Sequence, residues 1–120
     1  MEAYMHDLAI ELAGILAVIV AILHGILGET KVFSKASIEP AWAKRLIRLV
    51  WLSSAIAWAG GGFLMMAVPY LKSSDARYSI IAILVLVYGS AAVGNAWATR
   101  GRHIGWKLLT SVVILALAGI

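Results

Sequence analysis

Six of the nine imidazole and carboxylate side chains in this sequence stand where they could carry chemistry: His6, Asp7 and Glu11 near its start, His24 and Glu29 within "ILHGILGETKVF", and His103 within "RGRHIGW". Imidazole ligates haem iron and soft metals, while carboxylates hold harder cations or relay protons. His6 and His24 stand 18 residues apart, about 27 Å along one helix, too far to share an ion. His24 and His103 remain as a candidate ligand pair for a b-type haem. His6, Asp7 and Glu11 are candidate metal ligands, with Met1, Met5, Met65 and Met66 expected at the same depth; thioether and imidazole suit copper, and the carboxylates suit a harder ion. Glu11 is also the residue a small proton-coupled transporter would use. The absence of cysteine removes disulfides, thiolate metal sites and a cysteine nucleophile.

Apolar helices must position these groups. Of 120 residues, 62% are hydrophobic and 13% charged, and the mean hydropathy is +0.94. Soluble domains run at about 45–50% apolar and about 25% charged, and one of this size hides only about 60–70% of its unfolded surface. The chain therefore reads as an all-α integral membrane protein. Four apolar runs set spans at about 8–28, 46–70, 78–99 and 104–120, with a cytoplasmic loop at about 29–45. A membrane helix needs roughly 17–25 such residues, so the pattern predicts one domain, a small up-down bundle of four transmembrane helices. Acidic Glu2 and Asp7 before the first run, with no small-residue cleavage site after it, argue against a cleavable signal peptide.

Lys31, Lys35, Lys44, Arg45 and Arg48 fall in the loop and helix ends between the first two spans, and Arg100, Arg102 and Lys107 in the turn and helix start between the last two; only Lys72 and Arg77 fall on the other side. Short loops rich in Lys and Arg stay cytoplasmic, so both termini are expected outside, periplasmic in a bacterial inner membrane. The same bias accounts for the pI near 9.7 through contact with anionic lipid, with no need of nucleic acid. Trp42, Trp97 and Trp106 should mark the inner interface, and Tyr4, Tyr70 and Tyr78 the outer one. In "IEPAWAKRLIRLVW", Pro40 suits a first helical turn. Helix two should thus begin in the cytoplasmic interface, with Lys44, Arg45 and Arg48 reaching toward lipid phosphates.

Small residues mark the packing faces. Gly14, Ala17, Ala21, Gly25 and Gly28 recur at three- and four-residue steps, as do Ala82, Gly89, Ala92, Ala96 and Thr99, and span two adds Ser53, Ser54, Ala57 and Gly60 to Gly62. Membrane helices associate through such faces; the pattern does not distinguish contact within one chain from contact between chains. His6, Asp7, Glu11 and His24 flank the first stripe and should look into protein. Ordinary partners are a backbone carbonyl or Asn95 for His24, Lys31 or Arg45 for a Glu29 lying just past a helix stop at Gly28, and an outer-side group for Glu11. A sharper expectation has Glu29 anchoring helix one to His103, Arg100 or Arg102, with Trp97 and Trp106 closing the cluster over His24.

"LHGILGETKVF", "RLVWLSSAIAW" and "RHIGWKLL" together resemble a group of small bacterial inner-membrane proteins whose activity is not established. Their pattern is a histidine-serine-x-x-glycine-glutamate box, a tryptophan-histidine pair and an arginine-histidine-proline-glycine-tryptophan turn. The resemblance marks His24, Gly28, Glu29, Trp51, His103, Gly105 and Trp106. It departs at Gly25 in place of serine, Leu52 in place of histidine and Ile104 in place of proline; without a helix-two histidine, a haem ligated from there opposite His24 is lost. The small multidrug exporters share the size and a helix-one glutamate, but Glu11 is shallow and the charge bias is too strong for their antiparallel dimers.

No catalytic serine setting, phosphate loop or HExxH is present. The reading that results is a non-catalytic integral membrane subunit or accessory protein, joining a larger inner-membrane complex or itself. It requires no cofactor. Haem b at His24 and His103 is the alternative.

Overall fold

Glycines bring the first two helices of this chain into backbone contact, and the other elements arrange around that pair. The computed structural model describes residues 1–120. Helix α1, Glu2–Leu27, continues as a π-helical turn, Gly28–Phe33; α2 is Ala41–Ala67, ending in a 3-10 turn, Val68–Tyr70; α3 is Ser74–Ala98 and α4 is Gly105–Ala118. A Cβ on Gly14 would fall 2.5 Å from the Gly62 carbonyl oxygen, and one on Gly62 would fall 2.7 Å from that of Gly14. Small residues permit this approach, which lipid does not itself drive. Gly14, Ala17, Ala21 and Gly28 are all buried, so the first small-residue stripe is used inside the chain.

Neighbouring helices run antiparallel. α1 lies between α2 and α4, and α4 between α1 and α3, whereas α2 and α3 touch at few places. One of those places is Tyr88, whose hydroxyl donates to the Trp58 carbonyl at 2.6 Å and lies over Gly61. Ile10, Met65, Val68, Ile81, Tyr88, Leu109 and Val112 form the fully buried core, and no residue classed as polar or charged is buried. Ser73 caps α3 by accepting from the Ala76 amide. The α3–α4 turn passes through two left-handed residues, Arg100 at φ 51° and Gly101 at φ 72°, which let the Gly101 amide bond back to the Ala96 carbonyl at 2.7 Å.

Three helices are long and apolar enough to cross a membrane. The expected fourth span is shorter than predicted: α4 has 14 residues, about 21 Å, against a hydrocarbon core of about 30 Å. α1 also does not stop at Gly28, which keeps right-handed helical angles. The chain widens there into the π turn, which sets Phe33 edge-on to Trp51 at 5.6 Å and leaves the indole against the bare face of Gly28. The expected loop at 29–45 therefore shrinks to residues 34–40, and α2 starts directly after Pro40. Two of the basic side chains expected to reach for lipid find partners within the chain instead: Lys44 donates to the Ala36 carbonyl at 2.9 Å and the exposed Arg48 pairs with Glu29.

Gly14 and Gly25 should respond differently to a methyl group. Gly25 would meet only the Ala55 Cβ, at 3.6 Å, so Gly25→Ala is expected to change stability by less than about 0.5 kcal/mol. Gly14→Ala, pressed against backbone, should lose about 1–3 kcal/mol in reversible detergent unfolding.

Candidate functional site

α2 places Trp51, Ser54 and Trp58 on one face, three and four residues apart. His24 of α1 is held between the two indoles. Its ring stacks on Trp51 with centroids 4.3 Å apart and planes 10° apart, and faces Trp58 at 4.3 Å with a 32° tilt. Its Nε2 lies 3.0 Å from Ser54 Oγ. Since the Ser54 hydroxyl donates to the Trp51 carbonyl at 2.6 Å, its oxygen accepts from the His24 Nε2–H, and Nδ1 of the neutral ring is left as an open acceptor. Trp51 Nε1 in turn donates to the His24 carbonyl at 2.9 Å. Ring and backbone of one residue are both fastened to α2.

His103 is positioned by the turn. Its amide donates to Thr99 Oγ1 at 3.4 Å, and its Nδ1 accepts from the Gly105 amide at 3.0 Å, satisfying a donor that the first turn of α4 would otherwise leave free. A backbone N–H can only donate, so the proton of the neutral ring sits on Nε2. Trp106 Nε1 donates to the Gly101 carbonyl at 3.0 Å and ties the turn shut. His24 and His103, the pair singled out from sequence, do line one pocket of about 190 Å³, together with Trp51, Trp58, Asn95 and Thr99. Asn95 is not the partner of His24; its Oδ1 is buried with no hydrogen-bond partner.

The expected anchor of Glu29 is different. Its carboxylate takes two hydrogen bonds from Arg48, 2.8 Å from Nε and 2.6 Å from Nη2. None of His103, Arg100, Arg102, Lys31 or Arg45 bonds it. The π turn carries α1 past Gly28 and presents Glu29 to α2 rather than to the α3–α4 turn. Trp97, 85% exposed, and Trp106 do not close the cluster; Trp51 and Trp58 take that place.

The sequence-derived cofactor sites fare unevenly. Haem does not fit the His24 pocket, because both ring faces are covered, Nε2 is taken, and about 190 Å³ lies below the roughly 300–1,000 Å³ of ordinary ligand pockets. At the other end, Asp7 pairs with Arg77, Glu11 accepts from the Tyr70 hydroxyl at 3.2 Å, and His6 is exposed. No three His, Asp or Glu side chains group there as a metal site; the Arg77 cation already stands beside Asp7.

Sequence reasoning missed Trp58, and it read Ser54 as a packing residue only. The spacing W-x-x-S-x-x-x-W was the available signal, one polar acceptor between two aromatic planes on a single helix face. The small-residue faces are also divided unequally. Ser90, Gly94 and Ala98 of α3, and Ser53, Ala57 and Gly60 of α2, are exposed, and a Cβ on Gly94 or Gly60 would meet nothing within 4 Å. Gly89 would meet only Val113, at 4.0 Å.

His24→Phe keeps the stacking plane and removes the bond to Ser54, and Ser54→Ala removes its other half. A double-mutant cycle of the two, read by detergent unfolding, is expected to show a coupling of about 0.5–1.5 kcal/mol; strict additivity would mean the bond contributes nothing.

Comparison with known protein families, curated proteins and solved structures gives no match to this chain.

Proposed function

We propose that the chain is a non-catalytic integral subunit or accessory protein of a bacterial inner membrane, and that it joins other membrane helices, in a larger complex or in a second copy of itself, through the exposed small-residue faces. The observation that carries this reading is the α3 stripe of Ser90, Gly94 and Ala98. It is exposed at four-residue steps, and the space above Gly94 is open. Such a stripe lets two backbones approach closely in lipid. The equivalent stripe on α1 is already covered by α2, so it is not available to a partner.

Two further features are in keeping with the proposal. Eight of the ten basic residues gather at the end of the bundle away from the termini, the bias of a protein whose termini are periplasmic. Exposed Trp42 and Trp97 lie at that basic end, and exposed Tyr4, Tyr70 and Tyr78 lie at the other, as interface aromatics do. His24, the one histidine inside a span, spends its Nε2–H and its carbonyl on α2, which fits a fastening role better than a reaction.

Gly94→Leu tests the reading. Open space around Gly94 means the variant should keep the helix content and melting of the single chain, while the particle extracted from its native membrane in mild detergent falls in mass, by native mass spectrometry, to that of one chain. An unchanged particle mass, or a parent that is already a single chain, would defeat the proposal.

A further inference from the structure

The pocket at the basic end has a chemistry that assembly through α3 does not use. We propose that it binds a single hydroxylated aromatic ring, of the phenol or hydroquinone type. Size sets the first limit. An apolar cavity of about 150 Å³ accommodates a benzene ring, so about 190 Å³ takes one ring with small substituents. Charge sets the second. No Lys, Arg, Asp or Glu lines the pocket, and an ion moved there from water would lack a partner, so the ligand is neutral.

Hydrogen bonding sets the third limit. Asn95 Oδ1 is a buried acceptor without a donor, and an unpaired buried acceptor is costly. His24 Nδ1 is a second open acceptor, by the directionality of the Ser54 bonds. His103 Nε2–H is a donor, because its Nδ1 takes the Gly105 amide. A ligand bearing only carbonyl or ether oxygens would leave Asn95 unpaired; a hydroxyl both donates and accepts and matches the set. Leu23, Val32 and Ile104 line the pocket and are also exposed, so its mouth is apolar and an alkyl tail on the ring could leave through it. A bridging water would satisfy Asn95 as well, and that is the rival the experiment must separate.

The protein in nanodiscs is dialysed to equilibrium against hydroquinone, against hydroquinone with a short alkyl tail, and against the tailed ring with methyl groups in place of hydroxyls, with empty nanodiscs subtracted. The comparison is repeated for Asn95→Leu, which should melt no lower than the parent because the Asn95 amide oxygen bonds nothing in the protein. Saturable binding of the hydroxylated ring is expected, and the ratio of hydroxyl to methyl affinity should fall at least about 5-fold in the variant, the cost of one unpaired acceptor. Tighter binding of the tailed ring assigns the ligand to the lipid phase, and equal affinity assigns it to water; either supports the site. No saturable binding, or an unchanged ratio in Asn95→Leu, would overturn it.

Discussion

The carbonyl oxygens of Gly14 and Gly62 each occupy the place a side chain on the opposite glycine would take, and that mutual contact sets the separation of α1 and α2. In the bilayer proposed for this chain no hydrophobic force presses helices together, so close backbone approach and interhelical hydrogen bonds would hold the pair. Everything at the basic end follows from this spacing. With the helices this near, the Trp51 indole rests on Gly28 and reaches the His24 carbonyl. The His24 ring then fits between two indoles only two helical turns apart on α2.

Much of the frame was legible in the residues. Apolar runs located all four helices, and Pro40 marked the start of α2. What escaped has physical causes. The π turn depends on Phe33 finding the edge of Trp51, a contact between residues 18 apart in sequence that no local pattern encodes. That turn rotates Glu29 toward Arg48, so a reading that ended the helix at Gly28 had to choose the wrong partners. The short α4 reads as apolar through to residue 120, and hydropathy alone does not distinguish helix from the glycine-ended turns that bound it. Trp51 and Trp58 look like any interfacial aromatics until a ring is found between them.

The division of small residues carries the functional reading. α1 spends its stripe on α2, and Tyr88 fills the space beside Gly61, so the glycines facing inward have found occupants. Gly60 and Gly94 have none. The inner histidines divide in a similar way, one ring clasped by α2 and the other closing the turn, and between them they leave a small pocket free of charged residues, with Asn95 Oδ1 and His24 Nδ1 as open acceptors.

Spin-label mobility along α3 tests association through that helix most directly. The chain has no cysteine, so single labelled cysteines can be placed at will, and the protein examined in vesicles of its own membrane. Labels at Ser90, Gly94 and Ala98 should be immobilised, while those at Ala82 and Val93, exposed on the flank of the helix away from that row, should tumble as lipid-facing labels do. Equal mobility at all five positions would contradict a partner on this face.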